Sequence, residues 1–274
     1  MSKSASPRTR DLRAAYHLVG ECRDLGDDPA AWVSHLAAGT AALVGGDFSG
    51  VYQYAGLATR TISMVGIREW GWENGMDRVG WQRSVTEFMR DPFYEPIYEE
   101  YFGRLATDDG LSLARTDLQP DDEWDRSWVY QHIARVMGVD HFLWCHRSIP
   151  GRPGEHEGVL IARTPGRRDF SAREKAVVRE LHALVAPLVG GPLASFAEPS
   201  PSDLPPRVRP VLRCLLEGDS DKQIALRLGI GRYTVNEYVK HIFRHFGVAS
   251  RTELLARWVK RNGGRFAWGS VPLV

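Results

Sequence analysis

Lys240 follows Glu237 by three residues and Asn236 by four, and all three lie on the opposite side of a helical period from Val235, Val239, Ile242 and Phe246. The three side chains bring an amide, a carboxylate and an amine to one outer face. An Asn can bond adenine at two atoms, a Glu accepts from the cytosine amino group, and a Lys donates to guanine. Such a face suits a duplex site that mixes A·T and G·C pairs. Around it, Lys222, Gln223, Arg232, Tyr233, Thr234 and Arg244 fall at helix starts or flanks, where phosphate contact is the expected role. Ser250 and Arg251 complete this set of expected DNA contacts. For any one of them the plain alternative is a solvated surface residue.

Four short helices are needed to hold that face. The segment LPPRVRPVLRCLLEG puts Val208, Val211, Leu212, Leu215 and Leu216 on one apolar stripe closed by Gly218. Pro205 and Pro206 fit a first turn, whereas Pro210 sits badly beyond it. Ser220-Asp221-Lys222-Gln223 is a capping box that opens a second helix, stopped at Gly229. Gly231-Arg232-Tyr233-Thr234 opens the third, stopped at Gly247. Ser250-Arg251-Thr252-Glu253 is another capping box, and its helix carries Leu254, Leu255, Trp258 and Val259 before Asn262-Gly263-Gly264. A tight Gly-containing turn between the second and third helices makes this a helix-turn-helix unit.

The same stretch, SDKQIALRLGIGRYTVNEYVKHIFRHFGVASRTELLAR, resembles the C-terminal module of LuxR-type transcriptional regulators. Ser220, Ile224, Ala225, Leu228, Ile230, Thr234, Val235, Val239, Ile242, Val248, Ser250 and Arg251 fall in register with that pattern, over about residues 204–261. The resemblance implies that Asn236, Glu237 and Lys240 are the base-reading positions. Gly231 stands where the family usually has a Ser cap, and Asn236, Tyr238, His245 and Phe246 also depart from the usual residues. The expected partner is double-stranded DNA. A homodimer is expected too, because one recognition helix reads too few base pairs for selectivity in a genome. The alternative is a protein-interaction module whose helix-turn-helix does not bind DNA.

Charge divides the chain in the same place. The total of 35 Lys and Arg against 34 Asp and Glu nearly cancels. Residues 201–274, however, hold thirteen basic and six acidic residues, a surplus of seven, which leaves residues 1–200 at −6. A basic C-terminal piece points to a polyanion. Between the two lies EPSPSDLPP, which reads as a Pro-stiffened, Ser-solvated linker. The expected organisation is a domain over 1–198, a linker over 199–206, a helix-turn-helix domain over 204–264 and an apolar tail over 265–274 that docks on the chain or its partner.

In the acidic region, residues 9–45 read as two helices. Strands follow at Gly50–Tyr54 and Thr61–Ile67, then helical segments over 76–105 broken at Pro92 and Pro96, and a helix from Asp125 to Met137. Two strands, Asp140–Ile149 and Gly158–Arg163, and a helix capped by Ser171 and Glu174 close the region. Taken together this is an α+β domain with an antiparallel sheet, followed by an all-α helix-turn-helix domain. The element order resembles a GAF- or PAS-like sensor domain, which implies a small-molecule effector or a dimerising role. Tyr52, Tyr54, Trp70, Trp72, Trp81, Trp128 and Trp144 are the candidate ligand-lining aromatics; the plain alternative is core filling. Trp70 and Trp72 would share one face of an extended chain. Asp91-Pro92 is similar to an Asp-Pro pair in acyl-homoserine-lactone-binding LuxR domains, but its Trp neighbours stand at other spacings.

Other chemistry finds little support in the spacing. His132, His141, Cys145, His146 and His156 cluster in sequence without HExxH or paired Cys/His spacing, so no metal site or cofactor is expected. Asp108-Asp109 and Asp121-Asp122 read as turns, and no nucleophile elbow stands out, so no enzyme is expected. Three cysteines far apart make thiols rather than a disulfide framework. No apolar run reaches the length of a membrane span, and a cytoplasmic location is the expectation.

Overall fold

The computed structural model describes residues 5–72 and 77–261. The chain forms two compact units, one of residues 1–22 and 33–187 and the other of residues 23–32 and 188–274. Its first helices, α1 (Thr9–Asp24) and α2 (Pro29–Val44), precede β1 (Phe48–Ala55) and β2 (Ser63–Trp70). Next come α3 (Arg78–Phe88), α4 (Pro96–Leu105), β3 (Ser112–Ala114), α5 (Asp121–Trp124) and α6 (Arg135–Met137). The unit closes with β4 (His141–Ser148), β5 (Glu155–Arg163) and α7 (Ala172–Val185).

The five strands form one antiparallel sheet in the order β2-β1-β5-β4-β3. Side-chain alternation gives the sheet two buried faces. Leu143, Cys145, Val159 and Ile161 are buried on one of them, where α7 packs on β3 and β4. There α1 is tied to α7 by Arg173, whose guanidinium donates to both Asp11 carboxylate oxygens at 2.8 and 2.9 Å. On the other face, Phe48, Tyr54, Phe142, Trp144 and Leu160 share a core with Trp81, Tyr101, Phe102, Trp124 and Ile133.

Two expectations for this unit need correcting. The helix expected from Asp125 to Met137 starts later, at residue 128, and is not regular: residues 130–134 form a π-helical turn that runs straight into α6. The wider turn leaves Ile133 and Ala134 facing the core. Trp70 and Trp72 do not share an extended face. Strand β2 stops at Trp70, and Gly71 turns the chain at φ 100°, where an added Cβ would meet the Asp47 carbonyl oxygen at 2.4 Å.

The second unit carries α8 (Arg209–Leu216), α9 (Asp221–Leu228), α10 (Arg232–Phe246) and α11 (Arg251–Arg261). Pro210 is no obstacle, because α8 starts at Arg209 and the proline falls in its first turn, where no N–H is needed. The expected capping box closes on α9, where Gln223 Oε1 accepts from the Ser220 backbone N–H at 2.8 Å. At α11 the Glu253 N–H donates to Ser250 Oγ at 3.1 Å, while the Glu253 carboxylate accepts from Ala249 N–H rather than Ser250 N–H. The core joins Val211, Leu212 and Leu215 to Ile224, Val235, Ile242, Phe246, Leu254 and Trp258.

The Pro/Ser stretch is not a solvated linker. Ser200 is buried, its carbonyl lies 2.9 Å from His245 Nε2, and Leu204 is part of the helical core. A serine whose polar groups are met within the fold can leave water. The apolar tail over 265–274 lies outside the described residues.

Candidate nucleic-acid interface and buried cavity

Helix α10 owes its orientation to its inner side. Val235, Ile242 and Phe246 are buried, and Gly229, in the left-handed region at φ 65°, turns the chain from α9 toward it. Asn236, Glu237 and Lys240 are thereby left exposed on the outer side, together with Arg232, Tyr233 and Arg244. Tyr233 is 80% exposed, far more than a core aromatic would be. Lys240 Nζ donates to Glu237 Oε1 at 2.8 Å, so two of the expected base readers are paired with each other across one turn. That contact raises the Lys240 ammonium pKa. Being exposed, the pair is weak and open to exchange for other partners.

The remaining expected contacts divide. Lys222 is exposed at the start of α9, and Thr234 is half-buried in the first turn of α10. Gln223 and Ser250 spend their side chains on caps. Arg251 holds the domain together instead of reaching outward: its guanidinium donates to the Asp219 carbonyl and to Asp221 Oδ1, both at 2.5 Å, joining α11 to the start of α9. Arg227, which the sequence pattern did not single out, bridges Glu217 and Asp219.

The sheet unit contains a partly open pocket of about 730 Å³, a volume that includes solvent space outside its mouth. Of the seven aromatics singled out in the sequence, Tyr52, Tyr54, Trp81 and Trp144 line it. Trp70 stands half-buried at the end of β2, and Trp72 packs edge-on against Phe48 at 4.9 Å. Trp128 stacks on His132 at 4.7 Å beside a separate shallow groove. Glu69, Tyr98, Phe102, Ile133 and His146, none of them among the candidate ligand-lining aromatics, complete the wall.

A polar chain crosses this apolar space. His146 is buried, with Nε2 2.7 Å from Tyr52 Oη and Nδ1 2.5 Å from Tyr101 Oη. Strand register brings this about: His146 and Tyr52 both pair with Gly158 on β5, from opposite sides. An added Cβ at Gly158 would stand 2.0 Å from the His146 ring, so only glycine lets the imidazole lie across the strand. Burial holds the His146 pKa well below its usual value, which keeps the ring neutral, and raises those of Tyr52 and Tyr101. Tyr54 Oη, also buried, has no hydrogen-bond partner among the described residues. Near the other end, the Glu69 carboxylate accepts from the indole N–H of Trp72 at 2.9 Å and of Trp81 at 2.7 Å.

The clustered histidines do not assemble. His141 bonds to the Arg167 carbonyl at 3.0 Å, His132 stacks on Trp128, and His146 faces the cavity. No three metal-ligating side chains converge among the described residues. Ser148 Oγ lies 3.4 Å from His156 Nε2, but the nearby Asp109 carboxylate accepts from the serine at 3.1 Å instead of orienting the histidine. Cys22, Cys145 and Cys214 are buried and form no disulfide among the described residues. No described helix is long and apolar enough to cross a membrane.

A compact four-helix unit with a glycine turn between α9 and α10 and an exposed polar face on α10 is a helix-turn-helix domain. Residues 202–258 match the family described as "Bacterial regulatory proteins, luxR family", and this part of the chain is a helix-turn-helix domain of that family. Among curated proteins, the chain is 34% identical over 147 residues to the response regulator Rre1 of Synechocystis sp., covering 51% of this chain and 59% of that protein. It is 33% identical over 92 residues to the probable HTH-type transcriptional regulator GfsR of Streptomyces halstedii, covering 33% of this chain and 38% of that one. The chain therefore spans less than two thirds of either relative. Similar solved structures include SdiA of Escherichia coli, with a TM-score of 0.41 at 14% identity over 92% of this chain and 98% of that chain. Another is the VqsR LBD domain of Pseudomonas aeruginosa, with a TM-score of 0.41 at 14% identity over 65% of this chain and 93% of that chain.

Proposed function

We propose that this protein is a sequence-specific DNA-binding transcriptional regulator that acts as a homodimer and responds to a small molecule held in its sheet unit. The observation that carries the reading is the outer face of α10. Asn236, Glu237 and Lys240 are presented to solvent by a helix whose other side is locked into the core of a luxR-family domain. In a helix-turn-helix that face lies in the major groove, and a dimer reads two half-sites about one helical turn apart. Arg232, Tyr233, Arg244 and Lys222 then fall against phosphates. The surplus of basic residues over 201–274 supports binding to a polyanion.

For the sheet unit we favour a GAF/PAS-like sensor role. Its support is the five-stranded antiparallel sheet with helices over both faces and the lined cavity. The test of the DNA reading is substitution of the outer face. Asn236→Ala is expected to lower affinity for a selected duplex and relax preference at one base pair, at a cost of about 1–3 kcal/mol. Lys240→Ala is expected to weaken binding as well. If both variants bind with unchanged affinity and unchanged preference, the regulator reading fails and a protein-interaction role takes its place.

A further inference from the structure

We propose that the cavity takes a cationic amphiphile, with a protonated amine or quaternary ammonium group beside Glu69 and an apolar body running toward Tyr54. The proposal rests on reading the cavity as the effector site. Its starting point is a charge imbalance. Among the described lining residues there is one carboxylate, Glu69, and no Lys or Arg. The two groups that hold that carboxylate, the indole N–H groups of Trp72 and Trp81, donate hydrogen bonds but bring no positive charge. His146, the other ionisable nitrogen in the wall, is kept neutral by burial. The nearby Arg78 guanidinium lies 6.0 Å from the centroid of the Trp72 ring and is not among the lining residues.

The surroundings of Glu69 suit a cation for a second, independent reason. Phe48, Trp72 and Trp81 form an aromatic cluster there, with centroids 4.9 to 6.2 Å apart. Phe48 and Trp81 contribute to the cavity wall. Aromatic faces attract cations through their negative quadrupole, and aromatic cages around quaternary ammonium groups use that attraction. A ligand carboxylate or phosphate at the same place would face Glu69 with no compensating charge. Length follows from register. Glu69 pairs with Gly50, four residues along β1 from Tyr54, so the two residues lie about 13 Å apart along the strand direction. Between them Ile62, Val85, Phe102, Ile133 and Leu160 supply apolar wall, interrupted by the Tyr52–His146 pair, whose polar atoms are bonded to each other.

Three probes of equal chain length test the idea on the full chain: octyltrimethylammonium, octan-1-ol and octanoate, followed by calorimetry and by tryptophan fluorescence. The ammonium compound is expected to bind about tenfold or more tightly than the alcohol, with octanoate weakest. Glu69→Gln is expected to abolish that preference while leaving alcohol binding in place. The comparison on the unaltered chain stands even if the variant does not fold. Equal or tighter binding of the alcohol or octanoate overturns the proposal and leaves the effector reading intact. If none of the three binds, the effector reading falls as well, while duplex binding by the same chain still reports separately on the DNA reading.

Discussion

At the scale of single residues, the outer face of α10 and the polar chain of the cavity differ in how openly the sequence displays them. Asn236, Glu237 and Lys240 are neighbours on one helix, so a period of 3.6 residues is enough to group them. Tyr52, His146 and Gly158 lie on three different strands and meet only through register, which no local pattern reveals. Alternation along β4 sets His146 on the face opposite His141 and Cys145, but alternation alone does not reveal that it reaches the cavity. Tyr54 gives a direct test of that environment. Its buried hydroxyl has no partner among the described residues, and an unsatisfied hydroxyl costs about 1–3 kcal/mol. Tyr54→Phe should therefore raise the stability of the unliganded chain by an amount on the order of 1 kcal/mol in urea unfolding. A loss of stability would mean that the hydroxyl has a partner in solution. Gly158→Ala should act in the opposite direction, destabilising the sheet unit by displacing the His146 ring.

At the scale of elements, capping chemistry made the second unit the more legible one. Ser220 with Gln223 and Ser250 ahead of Glu253 announce helix starts through groups three residues apart. The π-helical turn over 130–134 and the short strand β3 left no such local mark, because both depend on what packs against them. The same logic separates recognition from architecture. Arg251 shares the family register, yet its guanidinium links α11 to Asp219 and Asp221. Arg251→Ala should lower the thermal midpoint of the helix-turn-helix unit, whereas Lys240→Ala should leave it nearly unchanged and reduce only DNA affinity. Gly231, the N-cap of α10, makes no side-chain cap bond. Replacing it with Ser should stabilise that helix by a few tenths of a kcal/mol, visible as a small rise in the unfolding midpoint.

At the scale of the whole molecule, the near-zero net charge conceals a −6 region joined to a +7 region, and each half carries its own physical signature. In the sheet unit that signature is acid sensitivity. His146 and His156 have pKa values lowered chiefly by burial, so below about pH 6.5 the unfolded chain takes up protons that the folded chain refuses. Stability should therefore fall on going from pH 7.5 to 5.5, with a slope of at most about 1.4 kcal/mol per pH unit for each histidine. His146→Gln should reduce that slope, and an unchanged slope would contradict the assignment. Asp11, held at about 2 mainly by its hydrogen bond from Arg173, contributes stability that is lost only in a lower window, as pH falls from about 4 through 2.

In the helix-turn-helix unit the signature is salt-dependent reading of a sequence. The most direct measurement is selection of bound duplexes from a random library with the full chain, followed by affinity measurements on the winner across a salt series. The expected result is an enriched site with two related half-sites about ten base pairs apart, and a logarithmic affinity that falls linearly with the logarithm of salt concentration. Lys222→Ala, which removes an expected phosphate contact, should make that slope shallower by about one. No enrichment of any sequence, with equally weak binding to every duplex, would contradict the DNA reading.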